Sequence, residues 1–584
     1  MPEYLSPGVY VEEIQIGGKP VEGVSTSTAG FLGVTERGPS TPQLVTSWLD
    51  YQRLFGSYFG SGEYLPHAVQ GFFDNGGQRC FIARVVKANA SKAQLKLKAS
   101  SANALTLTAI GEGTWGNRIG AKVTAGSLSG FKLSLYYWNQ PLEVFDPEEK
   151  PKTLPRPAVS EVYDNLSADV SSADYYEKRI NGVSNLVKLE KMSGDNGQAP
   201  SAVAIALLAG GSDTLVSEGT AAAVTANTIK LAADALSTDD AYNGLTITII
   251  DGDGKGQSRK IVDYVGSTKV ATLESNWDSA ALPTTSSKYR VTQPFSYTLA
   301  DYKRDDTNVP GQRKGLAGLA EIDDISLVYT PNATAVTGLP EALITHCESL
   351  KDRFAIFDAP SGSPAANLNP RSSLETKYAA YYYPWLKVVD PDTGLLRTVP
   401  PGGHMAGIYA RTDTERGVHK APANETVRGA IDLEFQITKQ EQDILNPRGV
   451  NVIRAFPGRG IRVWGARTLS SDPLWKYVNV RRLFNFLEES IDEGTQWVVF
   501  EPNDEKLWAR VRRTITEFLT RVWRDGALMG SKPEEAFFVK VDRSTMTQDD
   551  IDNGRLVVLI GVAPVKPAEF VVFRIAQVAS GSEG

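Results

Sequence analysis

The pattern of hydrophobic and polar positions divides the chain into segments with different secondary structure. Between residues 29 and 86, "AGFLGV" and "CFIARVV" are continuous apolar runs that predict buried strands, and "TSWLDYQRLFG" predicts a helix ending at Gly56. After residue 310, "ISLVYTP", "LPEALITHCESLKD" and "RFAIFDAP" predict a strand, a helix and a strand, the order of a parallel βαβ unit. We expect "FLGV" to join the same sheet, which makes residues 87 to about 310 an insertion.

The insertion has the short alternating runs of antiparallel β structure. In its first part, "LTLTAI" and "FKLSLYYW" predict strands, and the glycine-rich "GEGTWGNRIG" lacks the Lys-Ser/Thr ending and the following helix of a phosphate-binding loop. We interpret that run as a turn. A further series of short strands between residues 213 and 297 forms a nested module, in which "GDGKG" predicts a hairpin turn.

The last 140 residues have the strongest periodicity. The run "DPLWKYVNVRRLFNFLEESIDEGTQW" predicts a long helix, "WVVFEP" a strand, and "NDEKLWARVRRTITEFLTRVWRDGAL" a second long helix. At 100° per residue, one face of the second helix carries Leu507, Trp508, Val511, Ile515, Phe518, Leu519 and Val522. The opposite side carries Arg510, Arg513, Arg521 and Arg524, so it presents either a solvated face or a docking surface for an acidic partner. Strands are predicted at "AFFVKVDR" and "RLVVLIGVAPV".

Both ends of the chain carry strand-like runs outside these segments. The N-terminal "GVYVEEI" is followed by a Gly/Pro/Ser-rich stretch from Gly17 to Thr28, which predicts an extended arm on a flexible tether. The C-terminal "AEFVVFRIAQ" is apolar and ends near the last residue. A strand of this kind needs a sheet edge to pair with.

Composition places the chain among ordinary soluble multidomain proteins. Charged residues are 22% of the 584 residues and the net charge is −7, which gives no reason to expect a nucleic-acid partner. The two cysteines, Cys80 and Cys347, are expected to be buried free thiols in a reducing compartment. We find neither a secretory signal nor an apolar run of membrane-spanning length, so we expect cytoplasmic synthesis and no membrane insertion.

The search for chemistry predicts no catalytic residue, no cofactor and no metal. The four histidines are scattered, and standard hydrolase, metalloprotease and dinucleotide motifs are absent from the sequence. In "PPGGHMAGIYARTDTERGVHKAP", His404, Asp413 and His419 are close enough for a hydrolytic site, but their spacing fits no standard pattern and favours a structured loop.

Long runs of the sequence resemble one family, the sheath proteins of contractile tails in phages, R-type pyocins and extracellular contractile injection systems. The resemblance is carried by "GGHMAGIYARTDTERGVHKAPANE", by "LNPRGVNVIRAFPGRGIRVWGARTLSSDPLWKYVNVRRLFNFLEESI" and by the terminal "IGVAPVKPAEFVVFRI". It extends to "YLSPGVYVEEI", "AGFLGVTERGP" and "PGQRKGLAGLAEIDDISLVYTP". Here 96 residues, 214–309, separate "GGSD" from "PGQR", whereas these segments are close together in many relatives.

The resemblance implies a structural protein rather than an enzyme. Subunits of such sheaths form stacked hexameric rings around an inner tube, contract from an extended metastable state, and contact baseplate and tail-terminator or cap proteins. Each terminal arm donates a strand to a neighbour, which implies exchange through Val9, Tyr10, Val11, Ile14, Phe570, Val571, Val572, Phe573 and Ile575. The recipient sheet is then "AFFVKVDR" with "RLVVLIGVAPV", and the four arginines contact the inner tube. The particle is cytosolic or released.

The predicted fold class is an α/β multidomain protein, with an α/β core, a C-terminal α+β domain, β-rich insertion domains and extended terminal arms. The expected divisions are an N-terminal arm, the first core part, a β-rich insertion, a nested outward-facing insertion, the continued core, a lumen-facing C-terminal domain and a C-terminal arm, at 1–28, 29–86, 87–212, 213–297, 298–435, 436–566 and 567–584. Two other functions stay open: a surface- or polysaccharide-binding module in residues 87–296, and a hydrolase centred on His404 and His419.

Overall fold

A computed structural model describes most of the chain: residues 21–59, 63–100, 102–140, 144–192, 197–213, 215–292, 297–304, 309–391 and 394–574. Within these ranges the strands form six sheets, and helices cover the largest of them. The protein is therefore a mixed α/β structure with several sheets, in agreement with the predicted class at that level.

The first structural unit begins the core. Its strands are β1 (Ala29–Gly33), β2 (Gln43–Val45) and β3 (Cys80–Arg84), and its helices are α1 (Trp48–Phe55) and α2 (Leu65–Asp74). Ser47 caps α1 by accepting a hydrogen bond from the amide of Asp50, and Gly56 ends it with a positive φ, as the sequence predicted. The sequence pattern did not predict α2.

A β-rich region follows β3. It contains β4 (Gln94–Ala99), β5 (Ala102–Ala109), β6 (Ile119–Ala125), β7 (Phe131–Tyr137), β8 (Val159–Leu166), α3 (Tyr176–Ile180), β9 (Val187–Lys191) and β10 (Val203–Leu207). Two antiparallel sheets, β4-β5-β9 and β10-β6-β7-β8, pack around a shared core that includes Trp115 and Leu133. The run "GEGTWGNRIG" contains a short 3-10 helix, Thr114–Arg118, and no phosphate-loop helix.

The next seven strands close into a barrel. They are β11 (Leu215–Thr220), β12 (Ala223–Val224), β13 (Thr228–Lys230), β14 (Thr246–Asp251), β15 (Ser258–Val265), β16 (Val270–Leu273) and β17 (Lys288–Thr292), in the order β11-β17-β14-β15-β16-β13-β12. Although β11 and β12 lie at opposite ends of this order, two residues join them: the amide of Ala221 bonds to Ser287, and that of Ala222 bonds to Lys230. One strand therefore seals both edges of the sheet. The run "GDGKG" is the predicted turn between β14 and β15.

The chain then returns to the core. The elements are α4 (Leu299–Lys303), α5 (Gly315–Leu319), β18 (Leu327–Tyr329), α6 (Leu339–Leu350), β19 (Phe354–Asp358), β20 (Ala379–Tyr383), β21 (Leu386–Val389), β22 (Leu396–Val399), α7 (Gly402–Arg416), β23 (Ala430–Leu433), α8 (Lys439–Leu445), β24 (Val450–Phe456) and β25 (Gly460–Val463). Strands β22, β21 and β23 form a small antiparallel sheet.

Eight of these strands build the main sheet, in the order β2-β3-β1-β18-β19-β20-β24-β25. The six central strands are parallel, and the two edge strands run antiparallel. Ala29 of β1 pairs directly with Leu327 of β18, which confirms that "FLGV" belongs to the later sheet. Apolar layers cover both faces, and the buried free thiols Cys80 and Cys347 lie in opposite layers.

Helix α7 corrects the prediction of a structured loop at this position. It is a 15-residue helix, most of it buried, against α2. A side chain at Gly403 would collide with the backbone of Ala68, and one at Gly407 would collide with the carbonyl oxygen of Phe72. The glycines therefore permit close contact of the two helices.

The last described unit contains α9 (Val478–Thr495), α10 (Glu505–Arg524), α11 (Pro533–Ala536), β26 (Phe537–Lys540), α12 (Gln548–Asp552) and β27 (Leu559–Val562). Both long helices are confirmed. The predicted strand "WVVFEP" is wrong: Gln496–Val498 is a 3-10 turn, and Phe500 has a φ of 67° and a fully exposed side chain. No neighbouring strand edge in the described chain pairs with this segment.

Candidate functional site

The strongest candidate site is the two-stranded sheet of β26 and β27. The strands are antiparallel, with Phe537 opposite Val562 and Val539 opposite Ile560. These four side chains belong to the apolar cluster that contains the buried face of α10. On the other face Phe538 is half exposed and covers Gly561. A sheet of only two short strands has little stability of its own and depends on this packing.

Both outer edges of this sheet are open in the part of the chain that the structure describes, where β26 and β27 pair only with each other. The amide of Ala563 donates to the carbonyl of Ala536, which marks a hydrogen-bonded pair. Because bonded and non-bonded pairs alternate in an antiparallel ladder, the backbone groups of Val539, Ile560 and Val562 point to the outer edges. The sheet thus has one acceptor edge on each side.

The segment 21–28 leads from the N-terminal residues into β1 and lies against α9 and α10. Val21 is completely buried, and its carbonyl oxygen accepts a hydrogen bond from the Arg521 guanidinium. Gly23 lies so close to the Phe486 ring that a Cβ would be 2.9 Å from it. The amide of Val24 donates to the Ser490 hydroxyl at 3.1 Å.

These contacts overturn the prediction of a flexible tether for its described portion, residues 21–28. The small residues that suggested flexibility instead allow the backbone to approach α9 closely.

A buried ion pair fixes the same segment further along. Arg482 contacts both carboxylate oxygens of Asp413, at 3.0 and 2.5 Å, and both side chains are almost completely buried. Thr26 donates its hydroxyl to Asp413 at 2.7 Å and accepts from Arg482 through its carbonyl oxygen at 2.7 Å. Burial raises the pKa of Asp413 despite the neighbouring arginine. We call these three residues the N-terminal clamp.

The C-terminal segment is fixed by one carboxylate, that of Glu569. Arg467 donates two hydrogen bonds to it, at 2.6 and 2.8 Å, and the other donors are Asn446 at 3.0 Å, Tyr477 at 2.9 Å and Lys476 at 3.1 Å. Burial raises the pKa of Glu569, but the hydrogen bonds from Arg467, Asn446 and Lys476 outweigh it and lower the pKa to about 2. We call this set of residues the C-terminal clamp.

The predicted exchange residues that the structure describes lie directly after the C-terminal clamp. Phe570, Val571, Val572 and Phe573 are between 69% and 83% exposed and have no strand partner in the described chain. Four consecutive exposed apolar side chains are unusual for a finished surface. Val9, Tyr10, Val11, Ile14 and Ile575 lie outside the described residues.

Helix α10 confirms the predicted apolar face, since all seven of its predicted residues are buried. Its arginines differ from one another. Arg510 pairs with Glu501 at 2.8 Å, and Arg521 holds the N-terminal segment as described above. Arg513 and Arg524 are exposed and make neither a hydrogen bond nor an ion pair within the described ranges. Two of the four predicted contact residues therefore already have intrachain partners.

The structure does not assemble the alternative hydrolytic site. His404 is buried against α2 beside Gly71 and near His67, where burial lowers its pKa to about 4. Asp413 lies nine residues further along α7, roughly 13 Å away at the helical rise, and serves the N-terminal clamp. His419 follows the helix, outside this pair. In the described ranges no cluster of three or more His, Cys, Asp or Glu has metal-binding geometry, and no helix is long and apolar enough to cross a bilayer.

Two family models match the part of the chain that contains the candidate site. The phage tail sheath protein central domain matches residues 313–469, and the phage tail sheath C-terminal domain matches residues 470–577. The chain belongs to the tail sheath protein family. The two matched tail sheath domains together include β18 to β25, both clamps' charged residues, the open two-stranded sheet and the exposed C-terminal run. The closed barrel lies outside both matches.

Individual tail sheath proteins share between a fifth and a third of their residues with this chain over the aligned parts. A prophage major tail sheath protein of Pseudomonas aeruginosa is 27% identical over 278 residues, which are 45% of this chain and 69% of that protein. The tail sheath protein of Vibrio phage KVP40 is 26% identical over 37% of this chain and 31% of that protein. The chain thus spans only part of the length of these relatives. The sheath of an extracellular contractile injection system in its contracted state has the same fold, with 22% identity, a TM-score of 0.52 and 99% coverage of both chains.

The sequence had not indicated either clamp. Glu569 had one local signal, since it is the only acid in "VKPAEFVVFRI", but its donors come from residues 446–477. In the N-terminal clamp, Thr26 lies 387 residues from Asp413, and Asp413 lies 69 residues from Arg482, so only the tertiary fold brings the three together.

Proposed function

We propose that this chain is the sheath subunit of a contractile tail or tail-like injection particle. Its copies form stacked hexameric rings around an inner tube in an extended metastable state. Contraction to a wider, shorter state drives the tube through a target envelope. The energy resides in contacts between folded subunits, so the step needs no catalytic residue.

The observation that carries the proposal is the combination of an open sheet with an unpaired strand in the same unit. The β26–β27 sheet offers two free edges, and the two chain ends supply two strand-like runs. Donation of each run to a neighbouring copy completes the sheet by strand addition. The contact is heterologous, so it continues from copy to copy and does not close a dimer.

The expected strength of each donated strand is considerable. Five to eight backbone hydrogen bonds at a net value of about 0.5–1.5 kcal/mol each hold one arm. Burial of Phe570, Val572 and Phe573 adds roughly 1.5–3 kcal/mol for each side chain that becomes fully covered. Such a link persists while the folded units that it joins rotate.

The inner-tube contact is assigned to the exposed arginines of α10, with Arg513 and Arg524 as the leading residues. Both are free of intrachain partners in the described ranges, whereas Arg510 and Arg521 are engaged. Guanidinium groups on one helix face favour an acidic tube surface and accelerate its association. The ends of the polymer contact the baseplate and the tail-terminator or cap protein.

Electron microscopy of the full chain, expressed alone and with its inner-tube protein, tests the proposal. Long hollow tubes with ring striations are the expected result, at least in the co-expressed sample. A uniform monomer in both samples contradicts the proposal. The chain lacking residues 570–584 is the matched variant, and it should remain folded but form no tubes.

A further inference from the structure

The C-terminal arm is attached to its own subunit at a single polar point. Lys566 and Ala568 are exposed, and the residues from Phe570 to Arg574 are exposed as well. Only Glu569 in this segment is held by several side chains. A groove of about 900 Å³, lined by Phe456, Trp464 and the segment itself, remains unfilled beside it. Apart from the Lys476 ammonium, which lies 6.0 Å from the centre of the Phe570 ring, the arm is therefore held mainly by one carboxylate.

No flexible residue separates this attachment at Glu569 from the apolar run of the arm. Phe570 is the first residue of the apolar run and immediately follows Glu569. Adjacent Cα atoms are about 3.8 Å apart, so a neighbour that pairs with Phe570 must lie directly beside the clamp. The clamp, while closed, thus fixes the distance between donor and acceptor subunits.

The next attachment upstream is Val565, whose amide donates to Ala527 at 3.2 Å and whose carbonyl oxygen accepts from Asn479 at 3.4 Å. If Glu569 leaves its donors, residues 566–569 become part of the arm. Four extended residues add roughly 13–14 Å of reach.

We propose that the C-terminal clamp is a latch that sets the length of the exchanged arm. This inference rests on the proposed sheath function. The latch is closed in the narrow, extended polymer. When the ring widens, neighbouring subunits separate, the arm pulls on Glu569, and the carboxylate leaves Arg467 without breaking the strand pairing in the neighbour.

The N-terminal segment is built differently and serves as the internal comparison. Val21 is completely buried, and Thr26 is tied to a buried ion pair. Release of that segment requires apolar exposure as well as broken hydrogen bonds. It should therefore stay closed in both states.

Spin-label distances in assembled particles test the latch. Both native cysteines are buried, so labels are directed to exposed positions in the variant Ala568→Cys with Lys439→Cys. Labelled subunits are diluted with unlabelled ones, so that only distances within one subunit are measured. We expect the distance to increase by about 10 Å or more on contraction. The control pair, Glu22→Cys with Glu493→Cys, should keep its distance.

Two further variants distinguish a clamp that opens under tension from a clamp that stays closed in both states. Insertion of Gly-Ser-Gly-Ser between Glu569 and Phe570 supplies the slack directly, so the Ala568–Lys439 distance should then stay short after contraction. Glu569→Ala removes the attachment, so the Ala568–Lys439 distance should already be broadly distributed in the extended particle.

An unchanged distance in particles that assemble and contract overturns the latch and leaves the sheath function intact. An insertion variant that still opens also overturns it, since tension is then not the cause. Failure of every sample to form tubes overturns the proposed function itself.

Discussion

The closed barrel of β11–β17 and the open sheet of β26 and β27 solve the problem of strand edges in opposite ways. In the barrel, one strand bonds to β17 through its first half and to β13 through its second half, so the sheet is sealed. In the C-terminal sheet, two strands pair with each other and leave two outer edges without a partner in the described chain. Free edges invite pairing with other chains, and closure removes them.

The difference indicates which region can form backbone hydrogen bonds with another copy of the chain. The barrel has its own apolar core, which includes Tyr242, Ile247 and Trp277, and the continuous stretch from β11 to β12 joins the two ends of its strand order. The C-terminal sheet shares the apolar cluster of α10 and needs further strands to complete its backbone hydrogen bonding. In the described chain, the two outer edges of the C-terminal sheet are therefore available to link copies.

The largest expected effect comes from deleting one region at a time. Leu215 pairs with Thr292, so the barrel's two ends lie side by side and a short Gly-Ser link can replace residues 215–292. That variant should still form tubes in electron micrographs. Removal of residues 570–584 should abolish them. The comparison fails if the barrel deletion stops assembly while the arm deletion does not.

A pair of proline substitutions sharpens the assignment of the open edge. The amide of Val539 points outward, so Val539→Pro should leave the subunit folded but block strand addition at β26. Phe538→Pro removes an amide directed at β27 and should destabilise the subunit itself. Circular dichroism and tube formation measured together distinguish the two outcomes. Tubes of normal length from Val539→Pro would show that β26 is not an acceptor edge.

Loss of the buried ion pair should affect stability more than any change at the surface. Arg482→Ala leaves Asp413 buried without its partner and should lower the free energy of unfolding by about 3–5 kcal/mol. Urea denaturation measures the change. Arg512→Ala, on the exposed side of α10, is the matched control and should stay within about 0.5 kcal/mol of the parent. Equal effects of the two substitutions would contradict the clamp.

The C-terminal clamp should respond to acid in a defined window. The pKa of Glu569 falls from 4.5 to about 2 on folding, so its contribution is fully present above 4.5 and is lost as the pH falls toward 2. A spin label at Ala568 should become mobile over that range. In Glu569→Gln the label should be mobile at every pH, without a transition. A wild-type transition near neutral pH would rule out Glu569 as its source.

The smallest effects on folding are expected at the free arginines. Arg513→Ala with Arg524→Ala should change the stability of the isolated subunit by less than about 0.5 kcal/mol. Co-assembly with the inner tube should nevertheless become weaker at low salt and less sensitive to added salt, because the charge contacts that salt screens in the parent are missing from the variant. Sedimentation of tubes at increasing salt measures this, with Arg510→Ala as the control. Identical salt curves would remove the arginines from the tube contact.

The sequence predicted the elements whose signal is local. The face of α10 from Leu507 to Val522 follows from helical periodicity, and the pairing of β1 with β18 follows from matching buried runs around an insertion. Features that depend on distant partners could not be predicted. Glu569 needs donors from other elements, and β12 is a two-residue strand whose role appears only when both edges are known.

Two errors have the same physical origin. The stretch around His404 was predicted to be a loop, because its close packing against α2 cannot be recognised in the sequence pattern. "WVVFEP" has strong strand propensity but meets no edge in the described chain, so it forms a turn with Phe500 exposed. Tertiary contacts decided both cases against local preference.

The pairing of β1 with β18 also sets the order in which the protein can fold during synthesis. Roughly 240 residues separate Arg84 from Leu327, and a ribosome takes about 10–50 s to add them. During that interval β1 and β3 are already made, but their partner does not exist. The barrel and the preceding β-rich region are complete earlier and have their own cores. The main sheet is thus completed by strands that are synthesised late, although its first strands are synthesised early. Until then, β1 and β3 expose strand edges that can aggregate.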